Sequence, residues 1–267
     1  MSTISSLYQV PLVHGFRVGV EVEVELDRNA PFDTWPEVVG WRRDDNEGSI
    51  INGMEYLSAS PRNMGILNQH LNTLTKALLR REITLANSDR CAVHVHFNVS
   101  NLSPDKVKDI LALYYAAEPI LLRFFDDRRL GNHFCVDLLR SPELAFQANA
   151  EIGARLLRKE TWKYACLNPE TICRFGTLEF RGMATPSLRD FEKIRTLCAM
   201  LQSIYSKGLT LERVSDWLLG ASSNGYEPVL CELLGLDNLK QVERRHPDIV
   251  ELCKRSSRLA QPLFYKD

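Results

Sequence analysis

The sequence predicts an α+β protein: a mainly antiparallel, curved sheet with helices packed on one face and a polar, active-site-like concavity on the other. Two observations lead there. Four segments alternate apolar and polar residues, as half-buried strands do. Their polar faces are crowded with ionisable groups, whereas buried parallel strands read as continuous apolar runs.

The first strand is Phe16 to Leu26. Within it "GVEVEVEL" sends Val20, Val22 and Val24 to one face and Glu21, Glu23 and Glu25 to the other. The second runs from about Ser49 to Ser60, carries Glu55, and follows the acidic loop Asp44, Asp45, Glu47. Cys91 to Val99 forms the third, with His94, His96 and Asn98 on one side. The fourth is Arg174 to Met183, with Glu179 and Arg181 two apart.

Helices lie between. Residues 63–83 carry Ile66, Leu67, Leu71, Leu74, Leu78 and Leu79 at helical spacing. Ser103, Pro104 and Asp105 open the next helix as N-cap, first-turn proline and acid. The same Ser-Pro-acid opening recurs at Ser141, and another helix is expected from Ser187 to Gly208. Beyond Gly208 the pattern becomes a series of short amphipathic helices, the last over 239–260, without a chemical motif. We therefore expect a catalytic domain over 1–208 and a C-terminal helical extension, 209–267, packed on it.

The chain's 267 residues suffice for one large domain or two small ones. A formal net charge of −1 provides no basic footprint for nucleic acid. Glu118, Pro119 and Arg123 interrupt the most apolar stretch, Ile110 to Phe125, which marks a buried or amphipathic helix rather than a membrane span. The N-terminus has no basic start followed by an apolar core, so no signal peptide is read. The stretch before Phe16 is too short for a separate N-terminal domain. Seven scattered cysteines without a C-x-x-C pair are expected as reduced thiols in a cytoplasm.

If the polar faces converge, several carboxylates and two imidazoles share one cavity. Such carboxylates cannot all remain ionised without compensation, and divalent cations supply it. Oxygen-rich ligation suits Mg²⁺, and an imidazole tilts the preference toward Mn²⁺. Arg181 beside them has a planar fork suited to a phosphate or a developing oxyanion. These parts describe a phosphoryl-transfer site. Arg174, at the start of the fourth strand, is a candidate second phosphate contact. Trp41, Arg42 and Arg43 are candidates to stack on or steer a substrate. The charged run Phe124 to Phe134 is a candidate lid or acceptor contact.

Each motif alone has a plainer explanation, such as a solvated strand face or hydrogen-bonded core histidines. Their order is more specific. "GVEVE" (Gly19 to Glu23), "EGSI" (Glu47 to Ile50) with "EYLSASP" (Glu55 to Pro61), "HVH" (His94 to His96) and "EFR" (Glu179 to Arg181) together resemble the amidoligase family. That family belongs to the carboxylate-amine ligase superfamily of glutamine synthetase-type fold and is frequent in phages and bacterial gene clusters. One departure is Glu47, where the family motif has Asp.

The resemblance implies an ATP-dependent ligase in which a substrate carboxylate takes the γ-phosphate and an amine then displaces phosphate from the acyl phosphate. It also implies two divalent cations, one held by Glu21, His94 and Glu179 and a second by Glu23 and Glu55. Arg181 would stabilise the transferred phosphoryl group, and His96 would lie near the nucleotide phosphates. That makes Arg181, Glu55 and His96 the catalytic set and Arg181, His96 and Arg174 the nucleotide contacts. The acid and amine partners are small molecules or peptides, and a phage-encoded chain would work in its host's cytoplasm. Two other classes compete. A cupin-like His-x-His metal enzyme usually has a Glu three or four residues past the second His, but here no acid follows His96 until Asp105. A non-catalytic binding module of the same fold would not need to retain the whole set of charged residues.

Overall fold

A computed structural model of the chain describes residues 2–26, 35–44, 53–81, 83, 85, 88–125, 127–154, 157 and 162–264. The expected loop residues Asp45 and Glu47, and with them the "EGSI" motif, lie outside the described residues.

The sheet has six strands: β1 (Val18–Glu25), β2 (Trp41–Asp44), β3 (Gly53–Ser58), β4 (Ala92–Asn98), β5 (Leu167–Asn168) and β6 (Thr177–Ala184). Their order is β2-β3-β1-β4-β6-β5 and every pairing is antiparallel. This is the expected α+β layout. A single open sheet also differs from the two-sheet jelly roll of cupins.

Helices cover the apolar face. After α1 (Ile4–Tyr8) come α2 (Met64–Arg80), α3 (Pro104–Phe125), α4 (Glu143–Glu151) and the single turn α5 (Ile172–Phe175). The chain continues through α6 (Glu192–Thr210), α7 (Val214–Asn224), α8 (Tyr226–Leu234), α9 (Leu236–Glu243) and α10 (Ile249–Leu259). Asn63 caps α2, its Oδ1 accepting the Ile66 N–H at 3.0 Å. Ser103 does the same for α3 through the Lys106 N–H at 3.4 Å. α3 is the buried helix the sequence predicts, enclosed from Ile110 to Leu122 and packed against β6, α6 and α10. Val20, Val22, Val24, Val93, Val95, Phe97, Leu178 and Phe180 face this layer and are fully buried. Each such side chain contributes about 1.5–3 kcal/mol relative to exposure.

Three expectations change. The helix opening at Ser141 begins at Glu143 and ends at Glu151, with Gly153 in a left-handed conformation beyond it. The last predicted helix is two, α9 and α10. Most relevant to the site, Arg174 does not open a strand: it sits in α5, and β6 begins at Thr177. Gly176, at φ +69°, closes that turn, and a Cβ there would lie 2.7 Å from Ser100 Cβ. Only glycine adopts this conformation freely in so tight a place.

β4 and β6 run out of step at one point. Val95 pairs with Phe180 and Val93 with Met183, so Arg181 and Gly182 together oppose His94. This is a β-bulge, a device that re-aims a side chain beside a site. It keeps Met183 on the core side while Glu179 and Arg181 stay on the polar side. Gly182 turns toward α3, where an added Cβ would lie 2.4 Å from Leu122 Cδ2 and 2.8 Å from Phe180 Cζ. Gly182→Val is therefore expected to destabilise the fold by about 1–3 kcal/mol in urea unfolding, through overpacking.

Glu118 lies in the middle of α3, 1% exposed, its Oε2 accepting the Leu138 N–H at 2.8 Å. Burial, with the Asp137 charge adding to it, holds its carboxyl well above the usual range. The folded chain thus keeps a proton that the unfolded chain releases near pH 4.5. Stability from this group is present below that pH and is lost as pH rises toward the folded-state value. Urea unfolding at about pH 5 and about pH 8 should show Glu118→Gln flattening this decline and unfolding at higher urea than wild type at the upper pH.

Candidate active site

The polar face of the sheet forms the floor of a cavity of about 810 Å³, a typical ligand-pocket volume. Strand register assembles the floor. On β1, Glu21 pairs with His94 of β4, and Glu23 pairs with Glu55 of β3. One row along, His96 pairs with Glu179 of β6, which pairs with Asn168 of β5. Four carboxylates and two imidazoles from four strands therefore meet on one surface.

His94 is at the centre. Its Nδ1 lies 3.1 Å from Glu21 Oε2 and 3.5 Å from Glu179 Oε1, and its Nε2 lies 3.7 Å from Glu23 Oε1. His96 Nε2 is 3.4 Å from Glu21 Oε1 and 3.8 Å from Glu179 Oε1. Arg181 Nε stands 3.5 Å from Glu179 Oε1. Glu23, Glu55, His94 and Glu179 are all buried.

Fixed donors hold these acids in place. Glu23 Oε2 accepts the Ala92 N–H at 2.7 Å, and Glu179 Oε2 accepts from Asn168 Nδ2 at 2.9 Å. His96 Nδ1 is 3.3 Å from Thr177 Oγ1. Arg181 donates to the Lys163 carbonyl, and its own N–H bonds the Cys166 carbonyl at 2.8 Å. A carboxylate that already spends one oxygen on a donor keeps the other directed at the cavity.

The electrostatics show a demand for positive charge. Burial alone would raise the Glu21 carboxyl, but hydrogen bonds and charges from His94 and His96 overcome it and hold the group well below the usual carboxylate range. Burial likewise pushes the His94 imidazolium down. The hydrogen bond from Glu21 and the charges of Glu23 and Glu179 more than reverse this, against opposition from Arg181. Without another cation, a proton on His94 is what the carboxylates draw in. Ligand atoms of Glu21, His94 and Glu179 lie within 4.8 Å of one another, and so do those of Glu23, Glu55 and His94. Glu21, His94 and Glu179 at this spacing fit one divalent cation; a neutral imidazole offers a single lone pair, so Glu23 and Glu55 are left as the oxygen donors for a second.

The other sequence candidates distribute as follows. Arg174 lines the cavity from α5, its guanidinium 5.2 Å from the Phe175 ring centroid. Glu25 shares the polar face and pairs with Arg90 at 3.6 Å. Asn98 is used elsewhere, donating to the Val13 and Gly15 carbonyls at 2.8 and 3.1 Å. Trp41 and Arg43 point away from the cavity. The Trp41 indole N–H donates to the His70 carbonyl, and Arg43 bonds the Trp35 carbonyl and Glu37. They alternate with Arg42, so β2 places them on the helix side.

Other wall residues have no counterpart in the sequence reading: Lys163, Tyr164, Asn168, Glu170 and Phe175. They come from irregular segments, the two-residue β5 and the single turn α5, all too short for a spacing to mark a face. Arg129 and Phe134 belong to the charged run that was singled out, and both line the cavity.

Residues 66–204, just over half of the chain, match the family model described as "Putative amidoligase enzyme". The chain belongs to this family. The matched stretch runs from α2 into α6 and contains His94, His96, Glu179 and Arg181, while the carboxylates of β1 and β3 lie before it. Six chains of solved structures match the fold. One is a bifunctional glutathione synthetase from Pasteurella multocida, 13% identical, with a TM-score of 0.39 over 92% of this chain and 51% of that one. The amidoligase chain thus spans about half the length of that protein. No curated protein matches the sequence. Among the described residues, no helix is long and apolar enough to cross a membrane.

Proposed function

We propose that this amidoligase is an ATP-dependent carboxylate-amine ligase that forms an amide bond through an acyl phosphate. The observation that carries the reading is the convergence of Glu21, Glu23, Glu55 and Glu179 on His94, with Arg181 alongside, in a chain of this family.

In the proposed reaction a substrate carboxylate oxygen attacks the γ-phosphorus of ATP, and ADP leaves. The amine nitrogen then attacks the acyl carbon, the acyl C–O bond breaks, phosphate departs, and the amine loses a proton. Glu21, His94 and Glu179 would hold one divalent cation, Mg²⁺ or Mn²⁺, and Glu23 and Glu55 a second. Such ions, when bound, neutralise phosphate and carboxylate oxygens that would otherwise repel one another. Arg181, anchored at the bulge and by the Lys163 carbonyl, presents a charged fork beside the first cluster. It stabilises charge on the transferred phosphoryl group. His96 and Arg174 lie at the same end of the cavity, where His96 and Phe175 stand 6.2 Å apart. In this reading they would contact the nucleotide phosphates. Asn168 and the Ala92 N–H fix Glu179 and Glu23, so the carboxylates need not reorganise when ligands arrive.

Calorimetry of ATP and ADP, with and without Mg²⁺ or Mn²⁺, tests this without knowledge of the acid or amine. Wild type should bind ATP only with the metal, and Glu21→Gln and His94→Ala should each weaken binding by at least about tenfold. Metal binding without nucleotide binding would instead describe a metal centre of another kind. If neither bound, the ligase reading would be refuted.

A further inference from the structure

Among the described residues Arg129 is the one buried arginine, 3% exposed. It lies in a short 3-10 turn, Asp127–Arg129, just past α3. Its Nη1 donates to the Asp89 carbonyl at 3.2 Å and its Nη2 to the Arg181 carbonyl at 3.3 Å. Its Nε is buried with no hydrogen-bond partner, and the side chain lines the active-site cavity. Among the described residues no carboxylate pairs with it. Other arginines of this region are paired: Arg181 with Glu179, Arg90 with Glu25, Arg140 with Asp137.

A buried guanidinium without a counter-ion is expensive, and folded proteins rarely keep one unless something pairs with it. Two main-chain carbonyls fix the orientation of the fork but carry no net charge. Glu23 and Glu55 share the cavity lining with it, and cations bound there would take up their charge. The missing partner is then an anion that arrives with the ligands.

Position says which one. Arg129 bridges Asp89, just ahead of β4, to the β6 bulge, at the end of the cavity where Ala92 bonds Glu23. Arg174, Phe175 and His96 mark the opposite end. Arg129 thus stands at one end and His96 and Arg174 at the other, with the Glu21 and Glu23 clusters between them. With nucleotide phosphates at the His96 end, the Arg129 end faces the second substrate. On the basis of the ligase reading, we propose that Arg129 binds the carboxylate of the acid substrate. The planar fork suits a carboxylate, and Arg129 is thereby a substrate-binding residue distinct from Arg181.

The test uses the full chain saturated with Mg²⁺ and a non-hydrolysable ATP analogue, so that the γ-phosphate position is filled. Acetate, succinate and L-glutamate serve as carboxylate probes, read by saturation-transfer NMR and titration. At least one should bind wild type. Arg129→Gln should weaken that binding by at least about tenfold while the nucleotide dissociation constant changes by less than about twofold. Arg129→Lys retains the charge without the fork and should recover part of the loss. If Arg129→Gln does not fold, Arg129→Lys carries the test, with carboxylate binding weakened severalfold at unchanged nucleotide affinity.

The proposal is overturned if no carboxylate binds the nucleotide-loaded wild type, or if the variants bind carboxylates as wild type does. A parallel fall in nucleotide affinity would overturn it too, marking Arg129 as a structural tie between Asp89 and Arg181. A wild-type chain that binds no nucleotide would remove the ligase reading and this proposal with it.

Discussion

The alternation of β1 is the constraint on which the rest depends. Val20, Val22 and Val24 close the core against the helices, and the residues between them are the site's acids. The two roles cannot be separated. A slip of one residue in register would drive Glu21 and Glu23 under the sheet and turn the valines into the cavity. The apolar energy of one face therefore pins the geometry of the other, and the acids occupy fixed positions although they repel one another.

That repulsion organises the neighbours. β4 sets His94 between Glu21, Glu23 and Glu179, and β6 sets Arg181 beside Glu179. The Ala92 N–H and Asn168 each take one carboxylate oxygen. What remains is a surface rich in oxygen donors and short of positive charge. The bulge at Arg181–Gly182 completes the arrangement. It lets β6 follow the core on one side while presenting Arg181 on the other, and Gly182 allows α3 to pack closely beneath.

The regular parts of this design were legible in the sequence. Period-two alternation located β1, β4 and most of β6, and it placed Glu21, Glu23, His94, His96, Glu179 and Arg181 on one face. The helix opening at Ser103 was visible from its Ser-Pro-acid start, and the helix within 63–83 from its apolar spacing. The four-residue β2 and two-residue β5 were too short to carry a period. Arg174 was assigned to a strand because its turn depends on Gly176 and its close contact with Ser100, a tertiary effect. Arg129 and Lys163 sit on connecting segments, and Asn168 on the two-residue β5. Their direction is set by what they pack against, not by their place in a repeat. The unpaired state of Arg129 could be seen only once its surroundings were known.

The central claim is that these carboxylates form two adjoining cation sites, one of them completed by His94. Electron paramagnetic resonance during titration with Mn²⁺ addresses it most directly, because free and bound ions are distinguished and neighbouring ions broaden each other's signals. The account predicts two bound Mn²⁺ per chain, one for each cluster around His94, with spectra broadened by their proximity. The ion at Glu21 and Glu179 should be weakened in His94→Ala. Absence of bound Mn²⁺, or binding indifferent to His94, would contradict it.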